Sequence, residues 1–233
     1  MQPMNVDPRE PAKFGRISSA WWDADGPMRS LHAINPLRMR FVTDCCELNG
    51  RRALDVGCGG GLLTESLTRL GAHATGIDLS EELLEIALRH SRSHGLDITY
   101  RLVGAETLAD EQLGSFDVVT CMEVLEHIPE PAATVRAIAK LLRPGGNAFI
   151  ATIDRTLISF LFVIVAGEYV LRLLPRGSHD YQRLIRPRQL AIWAQQAGLQ
   201  RVRWAGLVYN PLTARFSLSS NRNLNYMAHF IRK

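Results

Sequence analysis

The chain is 233 residues long, carries 27 Lys+Arg against 23 Asp+Glu for a formal net charge of +4, and is 46% hydrophobic and 21% charged. That length holds one or two domains around a core that needs no staples; abundant apolar residues and nearly balanced charge exclude global disorder, a collagen-like chain and a basic nucleic-acid coat. Cys45, Cys46, Cys58 and Cys121 form no C-x-x-C pair, which argues against a disulfide framework or structural zinc and points to a reducing compartment.

Taken in chain order, residues 1–10 hold two acids, two prolines and no apolar run, so neither a secretory signal nor a transit peptide is expected. Pro11–Thr43, with Trp21-Trp22 and Leu31–Arg40, reads as a helical extension. Short apolar runs then alternate with helical patterns: Arg52–Gly57, Leu62–Leu70, His73–Asp78, Ser80–His90, Ile98–Gly104, Phe116–Cys121, Pro131–Leu142 and Asn147–Thr152. Strand and helix alternating at these lengths predict right-handed βαβ crossovers and a parallel sheet covered on both faces. Ser80 followed by Glu81 and Glu82 is an N-cap with acids in the first turn. Pro144-Gly145-Gly146 is read as the end of a helix ahead of the fifth strand. After a long insertion, Arg155–Arg188, Gln200–Asn210 and Leu224–Ile231 read as two closing strands on an antiparallel edge.

The predicted fold is therefore α/β, a Rossmann-like, mostly parallel seven-stranded sheet with helices on both faces. A single domain spans 1–233: a helical extension over 1–49, a cofactor-binding core over 50–154, an apolar and basic insertion over 155–190, and a helix with closing strands over 191–233.

The first strand runs into Asp55-Val56-Gly57-Cys58-Gly59-Gly60-Gly61 and then a helix, an arrangement that lets a ligand approach the backbone beside helical N–H groups. A dinucleotide fingerprint requires G-x-G-x-x-G, but Leu62 stands three residues after Gly59, which weakens a pyrophosphate reading. The next strand ends in Asp78, 21 residues beyond Gly57, where a carboxylate can accept both hydrogen bonds of a ribose diol.

The Asp55–Gly61 loop, Asp78, Gly104-Ala105-Glu106, Phe116–Glu123 and Leu142–Gly146 fall in the order of the class I S-adenosylmethionine-dependent methyltransferase motifs, which this core resembles. Beyond the core, Trp21-Trp22-Asp23, Leu31–Arg38, Cys121–His127, Gly167–Arg172, Pro175–Asp180, Gly206–Pro211 and Asn225–Met227 resemble the ubiquinone biosynthesis O-methyltransferase family, so the likeness covers nearly the whole chain. It implies two methylations of a phenolic hydroxyl, one on a polyprenyl catechol-type intermediate and one on demethylubiquinol. Carried over by position, it implies that Arg38, Gly57, Asp78 and Met122 contact S-adenosylmethionine, with Asp55 and Gly59 completing the loop. Arg38 suits the methionine carboxylate, Asp78 the ribose, and Met122 stands at a strand's carboxyl end, where open α/β sheets bind ligands.

Glu123, Glu126 and His127 lie at i, i+3 and i+4, so a helical turn would bring all three to one face. The resemblance implies that this face holds a magnesium-type cation, which would ease formation of the phenolate. Two alternatives stay open: His127 is the general base without a metal, since imidazole titrates near ~6.5, or the segment is structural. Catalysis is assigned to His127 and Glu126. Trp21, Trp22, Tyr209 and Asn210 are candidate walls of the acceptor pocket.

The longest uncharged apolar stretch, Thr156 to Gly167, is 12 residues, short of the ~20 of a spanning helix. Through Leu174 it reads as a helix apolar on most faces, and residues 172–188 add Arg172, Arg176, Arg183, Arg186 and Arg188 against Asp180, a composition suited to an anionic membrane surface. The rival reading is a buried helix or dimer interface. Basic residues beside an apolar helix rather than stacking aromatics disfavour nucleic acid. The expected partners are thus a polyprenyl phenol or quinol, a bilayer and, by resemblance, a ubiquinone-biosynthesis assembly, at the cytoplasmic face of a bacterial inner membrane. Two readings compete: a small-phenol O-methyltransferase of the same fold, and a non-catalytic lipid-binding protein.

Overall fold

The computed structural model describes residues 5, 20–156, 181–210, 213, 215–222 and 224–233. Most of the apolar insertion, including Arg172, Arg176 and Asp180, lies outside the described residues, as do Pro11–Ser19 of the extension.

The elements run α1 (Arg29–Thr43), β1 (Arg52–Val56), α2 (Leu62–Arg69), β2 (His73–Asp78), α3 (Glu81–Ser93), β3 (Thr99–Leu102), α4 (Ala105–Glu111), β4 (Phe116–Met122), α5 (Pro131–Leu141), β5 (Leu142–Ile153), α6 (Pro187–Gln196), β6 (Leu199–Asn210), β7 (Arg215–Ser219) and β8 (Asn225–Arg232). They form one sheet in the order β3-β2-β1-β4-β5-β8-β6-β7. The β3–β5 half is parallel and the β5-β8-β6-β7 half is joined by antiparallel pairs.

The period-2 pattern sorts the core. Leu54, Val56, Val119, Cys121, Ala148 and Ile150 bury on one face with α4, α5 and α6. Ala53, Val118, Met122, Phe149 and Ala151 bury on the other with Phe41 and Val42 of α1 and Leu63 and Leu67 of α2. Parallel strands covered on both sides bury successive rather than alternate residues, as β1 does from Ala53 to Val56 and β4 from Val118 to Met122. Ser80 caps α3 as expected, its hydroxyl accepting from Leu83 N at 3.4 Å.

Three expectations are corrected. The sheet has eight strands rather than seven, because Arg215–Ser219 adds an edge strand against β6. The helix before β5 ends at Leu141, and Leu142–Gly146 belong to β5: Phe116 pairs with Leu142, a register shift follows, and Gly145 absorbs it at φ +76°. Helix α6 starts at Pro187, inside the stretch assigned to the insertion; proline suits a first helical position because its missing N–H would be unpaired there in any case.

Candidate active site

Parallel β1, β2, β4 and β5 point their carboxyl ends to one edge, and β8, running the other way, starts there. That edge gathers the glycine turn, Asp78, the Glu123–His127 segment and Asn225.

The glycine turn is stitched to β2: Gly57 N–H and Cys58 N–H both donate to Ile77 O, at 2.8 and 3.0 Å. Gly57 stands at φ +68°, and a Cβ there would lie 2.4 Å from Val124 Cγ2. A Cβ on Gly59 or Gly60 would come within 2.6 and 2.4 Å of the Trp21 indole, and one on Gly61 within 2.5 Å of Tyr100 Oη. The glycines therefore make room first for the chain's own Val124, Trp21 and Tyr100, leaving the backbone edge of the turn to a ligand. The room that the sequence assigns to a ligand alone is thus shared with these three side chains.

Asp78 is pinned by backbone. Its Oδ2 accepts from Gly59 N–H at 2.8 Å, and its Oδ1 from Leu79 and Ser80 N–H at 2.8 and 2.9 Å. Burial pushes its carboxyl up, and these three N–H groups pull it back. Asp55 is buried beneath the turn, where Thr64 and Thr120 hydroxyls donate to it at 2.7 and 2.8 Å; burial pushes its carboxyl up to about 6. Asp55 thus braces β1 against α2 and β4 rather than presenting itself to a ligand.

Arg38 of α1 is buried and forms an ion pair with Glu123, whose other oxygen accepts from Asn225 Nδ2 at 3.3 Å. Arg38 Nε is buried and finds no acceptor among the described residues. Met122 is buried at the end of β4. Next to it, Glu123 takes φ +53°, the sole positive φ on a non-glycine residue among those described, and such outliers cluster at functional sites.

That backbone turn also corrects the picture of Glu123, Glu126 and His127 on one helical face. Leu125–His127 form a 3₁₀ turn and Glu123 stands outside it. Glu126 is buried and accepts from Thr152 Oγ1 at 2.8 Å, while Glu123 is engaged by Arg38 and Asn225. Among the described residues no group of three His, Cys, Asp or Glu side chains is arranged to hold a metal ion. The donor set does not fit a cation as it stands.

Trp21 and Trp22, expected as walls of the acceptor pocket, both lie on the glycine turn. Tyr209 packs on Phe216 at 4.9 Å between centroids, and Asn210 ends β6 at the same sheet edge. Glu106 accepts from Thr134 Oγ1 at 2.6 Å and Asn5 Nδ2 at 2.9 Å. Thr64 and Thr152, which orient acids of the site, carry no pattern in sequence that marks them, and the motif stretches that contain Thr120 and Asn225 do not single those two residues out.

A family profile described as a methyltransferase domain matches residues 29–203. The chain is 51% identical over 226 residues to a protein named ubiquinone biosynthesis O-methyltransferase from Methylococcus capsulatus, covering 97% of this chain and 95% of that one. It is 49% identical over 230 residues to the protein of that name from Nitrosococcus oceani, covering 99% and 98%. Among solved structures it resembles magnesium protoporphyrin IX methyltransferase from Synechocystis PCC 6803 with bound S-adenosylhomocysteine, with a TM-score of 0.68, 20% identity and 96% of both chains covered. At that identity the likeness supports the fold.

Proposed function

The chain belongs to the ubiquinone biosynthesis O-methyltransferase family, and from that premise we propose the chemistry of its site. The protein is an S-adenosylmethionine-dependent O-methyltransferase of ubiquinone biosynthesis, acting on a phenolic hydroxyl of polyprenylated catechol-type intermediates and of demethylubiquinol. The observation that carries the site reading is Asp78, a carboxylate fixed by three backbone N–H groups beside a glycine turn at the carboxyl edge of the parallel strands.

The residues present fit the donor. Asp78 would accept the ribose hydroxyls, the Gly57–Gly61 backbone would line the amino-acid arm, and Arg38, with a buried and unpartnered Nε, would meet its carboxylate. Met122 would form the floor beneath it. When bound, S-adenosylmethionine supplies an electrophilic methyl on a sulfonium. The chain must hold the acceptor oxygen in line with that carbon and sulfur, remove the phenolic proton and exclude water. His127, in the turn that follows β4, is the base assigned to that proton. Glu126, buried and bonded to Thr152, positions the turn that carries it. No step is routed through a divalent cation.

The same reading brings the enzyme to a membrane surface. Extracting a polyprenyl tail from a bilayer costs about 0.8 kcal/mol per methylene, so the catalyst is better brought to the tail than the tail to the catalyst. Support is the sequence of residues 156–188; within it, Arg186 and Arg188 are exposed. No helix among the described residues is long and apolar enough to cross a membrane. Attachment predicts that Arg176/Arg183/Arg186→Glu lowers sedimentation with anionic liposomes, and an unchanged bound fraction refutes it.

The activity itself is tested with purified protein, S-adenosylmethionine and a short-tail demethylubiquinol. The product gains one methyl by mass spectrometry, and cells lacking the protein accumulate an unmethylated hydroxyl species. No methyl transfer by the folded protein sinks the reading.

A further inference from the structure

Trp21 lies flat on the glycine turn, its benzo edge over Gly59 and its pyrrole edge, including Nε1, over Gly60. It is 6% exposed, packed with Met28 and with Leu83 in the first turn of α3. It therefore bridges the two strand-to-helix turns that follow β1 and β2, the same two that present the glycine backbone and Asp78.

The ring is held in place from several sides. His32 Nε2 meets Trp21 O at 2.9 Å, and the neighbouring Trp22 donates its own Nε1–H to Gly60 O at 3.1 Å. Trp22 stacks on His90 with centroids 3.4 Å apart and planes within 5°, and His90 Nδ1 meets the buried Glu65 at 2.6 Å. Trp22 thus spends its N–H on the protein. Trp21 does not: its Nε1 is buried and has no acceptor among the described residues. A buried N–H left unsatisfied costs about 1–3 kcal/mol, a cost that a phenylalanine filling the same space would avoid.

We propose that Trp21 is a cofactor-binding residue: its indole N–H donates to an oxygen of the S-adenosyl donor, which lies beside the ring along the backbone edge of the glycine turn. The assignment rests on the donor reading above and deepens it. Two donor oxygens are chemically suited to an indole N–H, the carboxylate of the amino-acid arm and a ribose hydroxyl.

Calorimetry of wild type and Trp21→Phe with S-adenosylhomocysteine and with 5′-methylthioadenosine, which keeps the ribose and lacks the carboxylate, separates them. Trp21→Phe keeps the ring and removes the donor. About tenfold weaker binding of S-adenosylhomocysteine alone assigns the bond to the carboxylate, and equal weakening of both ligands assigns it to the ribose. If wild type binds and Trp21→Phe binds both ligands within twofold, this assignment is wrong while the donor reading stands; if wild type binds neither, both fall. Should Trp21→Phe fail to fold, the ¹⁵N-indole spectrum of wild type decides. The four tryptophans give four N–H signals, assigned through Phe variants of Trp22, Trp193 and Trp204, and the Trp21 signal moves downfield on adding S-adenosylhomocysteine. A Trp21 signal that stays in place refutes the bond.

Discussion

The guanidinium of Arg38 and the carboxylate of Glu123, 85 positions apart, form an ion pair between the first described helix and the end of the central strand β4, with side-chain exposures of 6% and 16%. Asn225 of β8 closes the pair on its other oxygen. The contact locks three separate elements at the carboxyl edge of the parallel strands. Its Arg member is also the cation assigned to the donor's carboxylate, so stability and cofactor affinity share one side chain.

Arg38→Ala therefore strands a largely buried carboxylate, at a cost on the order of 3 kcal/mol. Urea unfolding reads this loss, and calorimetry reads an S-adenosylhomocysteine affinity at least tenfold weaker. Arg38→Gln/Glu123→Gln recovers part of the stability but none of the affinity. Their coupling energy of roughly 1–3 kcal/mol in the double-mutant cycle measures the pair. Equal stability of Arg38→Ala and wild type would contradict the buried pairing.

Gly57→Ala tests the cradle. The added methyl would approach Val124 Cγ2 to 2.4 Å at a φ of +68°. The left-handed conformation alone costs about 1–2 kcal/mol for an L side chain. The variant binds S-adenosylhomocysteine more than tenfold more weakly and melts lower. Adding Val124→Ala restores the steric share, not the conformational one, so the double variant lies between. Thermal melts and calorimetry on the three proteins check the order.

Much of this was legible because parallel strands advertise themselves: Leu54, Val119 and Ile150 sit in runs that only a doubly covered sheet would bury, and Ser80 marks a helix start. Strand β7 was not legible, because Arg215–Ser219 is short, half polar and given its partner only by β6. Spacing alone puts the acids of Glu123–His127 on one helical face. Spacing holds only while the backbone stays helical, and Glu123 at φ +53° breaks it. The glycines told where side chains are absent, and only the packed structure tells that Trp21 and Val124 fill the space.

His127→Gln separates proton transfer from binding. A positioned base contributes typically ~10²–10⁴-fold to rate, so kcat falls by that order while S-adenosylhomocysteine affinity stays within twofold. The acid limb of the kcat/KM profile, which reports the free base, disappears. Glu126→Gln also lowers kcat, but keeps that limb, since Glu126 acts through the turn it anchors. A profile unchanged in His127→Gln would remove His127 from the chemistry.

Two buried groups give stability opposite slopes with pH. Burial raises the Asp55 carboxyl from 3.8 to about 6, so between those values the folded chain keeps a proton that the unfolded chain has released. Its contribution, about 3 kcal/mol for roughly two pH units, is whole below pH ~4 and is lost as the pH climbs through 6. His229 is buried against Phe149, with Nε2 at 2.8 Å from Asn147 Oδ1, and burial, then Arg203, lowers it from 6.5 to about 4. The unfolded histidine takes up a proton that the folded one refuses, so its contribution is whole above pH 6.5 and is lost as the pH falls toward 4. In wild type the two trends oppose each other between pH 4 and 6, flattening the profile. Urea unfolding across pH 4.5–7 shows them separately: Asp55→Asn loses stability as the pH drops, and His229→Gln gains it. Identical pH slopes in wild type and both variants would mean that neither group titrates as its burial requires.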